Sequence, residues 1–284
     1  MPRAPAELPR AGGGEVWVLD LDGVVWLSGT PIAGASDAVA LLREAGARVL
    51  FASNNSSPTV ADLITRLGIA GIGAAPGEIV TSAMAAASML EPGSRALVVG
   101  DDGLMEALGE RGVHATRAAG TNAGIAGTGD AGAAGAAGAA PPPDAVVVGY
   151  TKRFDYEVLA RAAGAVRAGA RLIGTNEDAT LPTPDGPLPG AGSILAAVAT
   201  ASGATPTVAG KPHAPLATLI SARVGRVAAV VGDRPSTDGV LARRLGVPYA
   251  LVLTGVTARA TGDLDPAPDF VADDLLAVAR SATR

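Results

Sequence analysis

Two aspartates follow an apolar segment in the sequence DLDG, which contains Asp20, Asp22 and Gly23. Side chains at positions i and i+2 of an extended chain point to the same side, so the two carboxylates can converge on one point. Gly23 lets the backbone turn away sharply after them. Carboxylates held together repel each other, and a divalent cation relieves the repulsion. For a single DxD pattern, two solvated turn aspartates would be the favoured interpretation, so a metal site depends on the rest of the chain.

Three further groups of polar residues stand beside apolar segments. SNNS begins at Ser53 and offers hydroxyl, amide and main-chain donors suited to phosphate oxygens, although Ser53 or Ser56 could instead cap a helix. GDRPSTD adds the carboxylates of Asp233 and Asp238. Lys211 stands in VAGKP, a segment with no other charge, and taken alone it would be interpreted as a surface lysine.

The composition narrows the available chemistry. The 284 residues include no cysteine and two histidines, which excludes disulfides, thiolate metal sites, cysteine nucleophiles and a multi-histidine metal site. A metal would have to be bound by carboxylates, which favours Mg²⁺. The net charge of −5 argues against nucleic acid as a partner. We expect no membrane association, because no run of about 18 strongly apolar residues is present.

Apolar segments alternate with segments of helical spacing. The former predict strands buried on both faces, and they cover residues 15–23, 47–55, 94–102, 144–150, 170–176, 226–234 and 249–255. Alternation of this kind predicts an α/β fold with a parallel sheet covered by helices. Ligands of such sheets bind at the carboxyl ends of the strands, where the polar groups described above lie.

Two segments depart from this pattern. Residues 118–144 consist mainly of Ala and Gly and contain too few large apolar groups to offset the entropy of ordering, which predicts a flexible insertion. Residues 1–14 lack the apolar segment of a secretory signal and are predicted to be a disordered tail on a cytoplasmic protein.

Taken together and in this order, DxDG, SNN, GKP and GDxxxTD resemble the haloacid dehalogenase (HAD) superfamily. The sequences TSAMAAASML, TNEDATLPTPDGPLPGAG and PTVAGKP resemble the branch that contains NagD-type, p-nitrophenylphosphatase-like, phosphoglycolate and pyridoxal phosphate phosphatases. The resemblance implies a Rossmann-like parallel-sheet core formed by residues 15–80 and 191–284. It also implies an inserted α/β cap domain formed by residues 81–190, with residues 118–143 as an insertion in the cap.

The resemblance assigns catalytic and metal-binding roles to four aspartates. It implies that Asp20 is the nucleophile and forms an aspartyl phosphate. Asp22 would first protonate the leaving group and then activate water. Mg²⁺ would be bound by the Asp20 side chain, the Asp22 carbonyl and Asp233, with support from Asp238.

The remaining roles concern the substrate. The resemblance implies that Ser53 and the amides of Asn54 and Asn55 bind the phosphoryl oxygens and that Lys211 supplies positive charge. A mobile cap would exclude water and could join two subunits as a homodimer, through the strands within residues 94–102 and 144–150. Its specificity loop would include Asn176, Asp178, Pro182 and Thr183.

The predicted function is a Mg²⁺-dependent phosphomonoester hydrolase. The substrate would be a small metabolite such as a glycerol phosphate, phosphoglycolate, a sugar phosphate, a nucleotide monophosphate or pyridoxal phosphate. The alternative is a phospho-acceptor signalling or ligand-binding module without turnover. Asp22 and the insertion at residues 80–190 favour the enzyme, because acid–base chemistry and a lid serve turnover.

Overall fold

A computed structural model describes residues 8–27, 29–118, 141–181, 186–260 and 264–284. Half of the predicted tail (residues 1–7) and most of the Ala/Gly insertion lie outside the described residues. The same holds for Pro182 and Thr183 of the predicted specificity loop.

Strands and helices alternate along the described chain. The strands are β1 (Val16–Asp20), β2 (Trp26–Leu27), β3 (Thr30–Pro31), β4 (Arg48–Ser53), β5 (Ile79–Thr81), β6 (Arg95–Val99), β7 (His114–Arg117), β8 (Ala145–Val148), β9 (Arg171–Gly174), β10 (Thr180–Leu181), β11 (Leu188–Pro189), β12 (Thr207–Val208), β13 (Val227–Gly232), β14 (Tyr249–Val252) and β15 (Phe270–Ala272). The α-helices are α1 (Ala35–Glu44), α2 (Val60–Ile69), α3 (Ser82–Ser88), α4 (Asp102–Glu110), α5 (Tyr156–Arg167), α6 (Ala191–Ser202), α7 (Ala214–Val224), α8 (Val240–Leu245) and α9 (Leu275–Ala282). Short helical turns span Pro76–Glu78 and Pro235–Gly239.

The central sheet has six parallel strands in the order β15-β14-β13-β1-β4-β5. Its middle strand, β1, is apolar on both faces because helices cover both sides of the sheet. Trp17 and Leu19 pack with side chains of α1, α2 and α9, whereas Val16 and Val18 pack on the side of α3 and α7. The predicted α/β fold with parallel sheets is confirmed.

A second sheet has five parallel strands in the order β12-β9-β8-β6-β7. Helices α5 and α6 pack against each other beside it, and Ile194 and Val198 of α6 join the same apolar cluster as Val146 and Val148. Helix α6 and strand β12 thus lie with the second sheet, although both follow the cap boundary predicted at residue 190. The division of the chain into core and cap domains stays a prediction.

The predicted subunit pairing involves two inner strands of the second sheet. Strand β6 lies between β8 and β7, and β8 lies between β9 and β6. Neither β6 nor β8 offers a free edge, because their main-chain groups already bond within the sheet. The prediction that these strands join two subunits stays a prediction. The edge strands of this sheet are β7 and β12.

The chain returns from the second sheet to the central one through a tight crossing after β12. Gly210 lies in this crossing, where a Cβ atom would stand 2.5 Å from the Thr175 carbonyl oxygen and 2.6 Å from Asn54 Oδ1. Only glycine fits such a close approach of three segments. Among the described helices, none has the length and apolar character needed to cross a bilayer.

Candidate active site

Lys211 lies at the carboxyl edge of the central sheet, between two aspartates. Its Nζ is 2.7 Å from Asp20 Oδ1 and 2.7 Å from Asp238 Oδ1, and it donates a longer hydrogen bond of 3.3 Å to the Ala52 carbonyl oxygen. The lysine side chain is only 2% exposed. Lys211 is thus a buried partner of carboxylates, which rules out the interpretation as a surface lysine.

Three of the predicted aspartates form a carboxylate cluster. One oxygen each from Asp20, Asp233 and Asp238 lies within 4.8 Å of the others. Asp233 Oδ2 accepts a hydrogen bond of 2.5 Å from the Val256 N–H. Gly23 has a φ of +84°, and a Cβ there would lie 2.5 Å from Asp233 Oδ2. The turn after DLDG therefore needs glycine both for its conformation and to admit Asp233.

The charges of this cluster are unbalanced. Burial raises the pKa of Asp20 well above its ordinary value, with further increases from Asp238 and Asp233 that Lys211 opposes. Burial, assisted by the Asp238 carboxylate, raises the pKa of Asp233 to about 6. Burial alone would lower the pKa of Lys211, but Asp20 and Asp238 outweigh it and raise that pKa above its ordinary value. Three carboxylates around one ammonium group form a hard, oxygen-rich donor set, which fits a divalent cation such as Mg²⁺.

Asp22 has a different environment from Asp20. Its Oδ1 accepts a hydrogen bond of 3.0 Å from the Trp26 indole Nε1–H. Burial raises the pKa of Asp22, and the hydrogen bond from Trp26 offsets part of that rise. Both aspartates line the same cavity. A buried carboxyl with a raised pKa is suited to holding a proton for transfer.

The structure places Asn54 of the SNN motif next to Lys211. Ser53 is buried, and its Oγ accepts a hydrogen bond of 3.0 Å from the Asn55 N–H. Asn54 Oδ1 accepts from the Lys211 N–H at 2.8 Å, and Asn54 Nδ2 donates to the Lys211 carbonyl at 3.0 Å and to Asp178 Oδ2 at 3.1 Å. The Asn54 side chain is therefore occupied by its hydrogen bonds to Lys211 and Asp178, so the group of Asn54 that could donate to a phosphate is its main-chain N–H.

The predicted specificity loop reaches this site through two side chains. Asn176 Nδ2 donates a hydrogen bond of 2.7 Å to the Asn54 carbonyl oxygen, which also accepts from Ser82 Oγ at 2.6 Å. Asp178 Oδ1 lies 2.9 Å from Arg234 NH1. Sequence reasoning missed Arg234, although its position directly after Asp233 in GDRPSTD was an available signal.

These groups surround a cavity of about 100 Å³. Its polar lining includes Asp20, Asp22 and Lys211, and Leu27 and Val256 line it as partly exposed apolar side chains. Because the nucleophile candidate, an acid–base candidate and a cation-binding cluster share one small cavity, the arrangement can bind and transfer a phosphoryl group.

Comparisons with known proteins identify the family of this chain. A family model described as haloacid dehalogenase-like hydrolase matches residues 17–114, and a HAD-hydrolase-like model matches residues 208–278. The D-glycerol 3-phosphate phosphatase of Mycobacterium tuberculosis is 38% identical over 246 residues, which cover 85% of this chain and 63% of that protein. The 5'-nucleotidase YutF of Bacillus subtilis is 31% identical over 253 residues, which cover 86% of this chain and 88% of that protein.

A solved structure shows the same fold. The crystal structure of a glycerol phosphate phosphatase from Mycobacterium tuberculosis in complex with magnesium superposes with a TM-score of 0.77 at 34% identity, and covers 97% of this chain and 78% of that one. The relatives named here are hydrolases of phosphate esters, which supports the enzyme over the signalling alternative. The family predicted from the four motifs is confirmed, and the chain belongs to the haloacid dehalogenase-like hydrolases.

Proposed function

We propose that this chain is a Mg²⁺-dependent phosphomonoester hydrolase that acts on a small phosphorylated metabolite. One observation carries the proposal: Asp20 stands 2.7 Å from a buried ammonium group within a cluster of three carboxylates, and Asp22 lines the same cavity. The names of the relatives point to glycerol phosphate, dihydroxyacetone phosphate, sugar phosphate and nucleotide hydrolysis.

The first step is attack by Asp20. A carboxylate oxygen of Asp20 forms a bond to phosphorus while the ester P–O bond breaks, which yields an aspartyl phosphate. Asp22 donates its proton to the departing alkoxide, because its burial favours the protonated form. The ammonium group of Lys211 contacts Asp20 and offsets negative charge in the transition state.

The second step restores the enzyme. Asp22, now a carboxylate, removes a proton from a water molecule whose oxygen attacks the phosphorus. The bond between phosphorus and the Asp20 oxygen breaks, so inorganic phosphate leaves and Asp20 regains its carboxylate. Trp26 holds the Asp22 carboxyl group through its indole N–H during both transfers.

Mg²⁺ would be held by the side chains of Asp20 and Asp233 and by the Asp22 carbonyl, with Asp238 in support. When bound, Mg²⁺ neutralises carboxylates and phosphate and stabilises the charge that builds up on the phosphoryl oxygens. Ser53 and the main-chain amides of Asn54 and Asn55 are proposed to bind those oxygens, as the SNN motif predicts. The Asn55 N–H, which donates to Ser53 Oγ in this structure, would then donate to a phosphoryl oxygen instead.

We further propose that the second sheet belongs to a cap that excludes water from the site, formed largely by residues 81–190. Contacts of Asn176 and Asp178 with Asn54 support a role of this segment at the cavity. A cytoplasmic location and a homodimer joined through the cap stay predictions. Light scattering of the purified chain tests the dimer.

Hydrolysis of p-nitrophenyl phosphate with and without Mg²⁺ tests the proposed function. We expect Asp20→Asn to lower kcat by about 10³-fold or more, because it removes the nucleophile. Asp37→Asn is a matched control, since Asp37 is an exposed acid in the first turn of α1. Undiminished turnover by Asp20→Asn would contradict the nucleophile assignment. A long-lived aspartyl phosphate without steady-state phosphate release would instead favour a signalling module.

A further inference from the structure

The peptide group between Asn54 and Asn55 is held from outside its own loop. The Asn54 carbonyl oxygen accepts hydrogen bonds from Ser82 Oγ at 2.6 Å and from Asn176 Nδ2 at 2.7 Å. Ser82 is the first residue of α3, and Asn176 lies two residues after β9 of the second sheet. Two segments that are far from SNN in the sequence thus donate to one oxygen atom.

Both donors are themselves fixed. Ser82 and Asn176 are 0% and 4% exposed, so a lost hydrogen bond at the carbonyl could not simply be replaced by one to bulk water. Asn176 Oδ1 accepts a hydrogen bond of 3.1 Å from the Asp178 N–H. This contact uses the acceptor end of the Asn176 amide and leaves its donor end for the Asn54 carbonyl.

The held carbonyl determines where the next N–H points. In a trans peptide, the C=O and the N–H of the following residue lie in one plane and point in opposite directions. With its carbonyl held on one side by the two donors, this peptide directs the Asn55 N–H to the other side, toward Ser53 Oγ at 3.0 Å. Asn55 also lines the cavity. The reverse orientation would turn the partial negative charge of the carbonyl oxygen toward a bound phosphate and repel it.

We infer that Ser82 and Asn176 are positioning residues for the phosphate site, and that they fix the Asn54 carbonyl so that the Asn55 N–H can donate to a phosphoryl oxygen. The inference rests on the proposed function. Neither side chain needs to touch the substrate, so the role is independent of the leaving group. For Asn176 this differs from the predicted place in a specificity loop, where a side chain selects one ester over another.

Inorganic phosphate tests the inference, because it fills the phosphate site and carries no leaving group. The measured quantity is its inhibition constant against hydrolysis of p-nitrophenyl phosphate. Asn176→Asp keeps the shape of the side chain and the acceptor for the Asp178 N–H, but replaces the N–H donor by a carboxylate oxygen. We expect it to raise the inhibition constant about tenfold or more, because the carboxylate repels the Asn54 carbonyl and turns the peptide.

Ser82→Ala removes the other donor from a different element. We expect a smaller rise of about threefold, because Asn176 still holds the carbonyl. Ser88→Ala is the matched control, since Ser88 is an exposed residue of the same helix whose Oγ donates to the Ala85 carbonyl oxygen. The control should leave the inhibition constant unchanged. Circular dichroism checks that each variant is folded.

Two further measurements distinguish positioning from a general loss of structure. In Asn176→Asp, kcat/KM should fall by the same factor, to within about threefold, for p-nitrophenyl phosphate and for glycerol 3-phosphate, because the role does not involve the leaving group. The rise in Tm that Mg²⁺ produces should keep its wild-type size, because the ion would be held by the carboxylate cluster and not by this peptide.

Several results would overturn the inference. One is an inhibition constant for inorganic phosphate that neither Asn176→Asp nor Ser82→Ala changes. Another is a loss confined to glycerol 3-phosphate, which would make Asn176 a contact to the leaving group. A third is a joint loss of phosphate affinity and of the Mg²⁺-induced rise in Tm, which would mean that the whole site is disturbed. A wild-type chain that hydrolyses no ester would instead refute the proposed function.

Discussion

Asp20 and Asp22 are two residues apart but contact different groups. Asp20 meets the ammonium group of Lys211, whereas Asp22 meets the neutral indole N–H of Trp26. Burial raises the pKa of both carboxyl groups; the strongest opposing effect is the charge of Lys211 at Asp20 and the neutral donor of Trp26 at Asp22. This difference supports separate roles for the two side chains in one cavity.

Asp22→Asn provides a test at the level of a single residue. We expect a burst of about one equivalent of p-nitrophenolate, because this leaving group departs without protonation, followed by a steady state about 10²- to 10⁴-fold slower, because no base activates water. Rapid mixing with p-nitrophenyl phosphate measures both phases, with Asp37→Asn as control. An unchanged steady-state rate would remove Asp22 from the mechanism.

At the level of elements, helix α4 packs its first turn directly on the loop that follows β4. Gly103 N–H donates a hydrogen bond of 2.9 Å to the Ser57 carbonyl oxygen. A Cβ atom at Gly103 would overlap the Pro58 carbonyl oxygen and lie 3.0 Å from the Ser56 carbonyl oxygen. Contact between backbones, and not helix propensity, therefore decides the residue type at this position.

Gly103→Ala should destabilise the protein by about 1–3 kcal/mol, although alanine is the better helix former, because the loop carrying Ser56 must move. Gly109→Ala in the same helix is the matched control, since a Cβ there meets nothing within 4 Å. It should raise the free energy of unfolding by up to about 1 kcal/mol. Urea unfolding measures both, and equal effects of the two changes would refute the packing argument.

Asp101 links the loops after β4 and β8 at the start of α4. Its carboxylate accepts hydrogen bonds from Thr151 Oγ1 at 2.7 Å, Ser57 Oγ at 2.8 Å and Arg153 NH2 at 3.1 Å. Burial acts to raise the pKa of Asp101, but these three donors outweigh it and lower the pKa below its ordinary value of 3.8. The charged form is therefore the one that stabilises the contact between the loops.

Because the folded pKa is lowered, the stabilisation by Asp101 is fully present above pH 3.8 and is lost as the pH falls through the folded value. Asp101→Asn should lower the free energy of unfolding by about 1–2 kcal/mol at pH 7, and the difference from wild type should shrink below about pH 4. Urea unfolding at pH 7, 5 and 3 measures this. A difference that grows toward low pH would contradict the assignment.

At the level of the whole molecule, the carboxylate cluster joins segments that are far apart in sequence. Asp20, Asp233 and Asp238 repel one another in a buried site, so a bound cation should stabilise the entire fold. Mg²⁺ at about 100 times its Kd should add about 2.7 kcal/mol, which corresponds to a rise of several degrees in Tm. Asp233→Asn should abolish most of that rise in thermal unfolding, whereas Asp37→Asn should retain it.

The sequence predicted the parts of the site that follow from strand order along the chain. Asp20, Ser53 and Asp233 end apolar runs, and the carboxyl ends of parallel strands gather at one edge of a sheet. Strand β12 was not predicted, because a strand of two residues is too short to show a hydrophobic periodicity. The pair Arg234–Asp178 and the partners of the Asn54 side chain were missed because those contacts depend on how distant segments approach each other. The interior places of β6 and β8 in the second sheet were not predicted, because the apolar pattern of a strand does not show which strands pair with it.

The tight crossing at Gly210 limits how this fold could be recombined with its relatives. Lys211 comes three residues after Val208, the last residue of β12, and β12 is held by hydrogen bonds to β9 of the second sheet. A chimera that exchanged β6–β9 of the second sheet and kept β12 would therefore also exchange the support of Lys211. The transplanted strands must pair with β12 in parallel, as β9 does here, or the ammonium group leaves the carboxylate cluster.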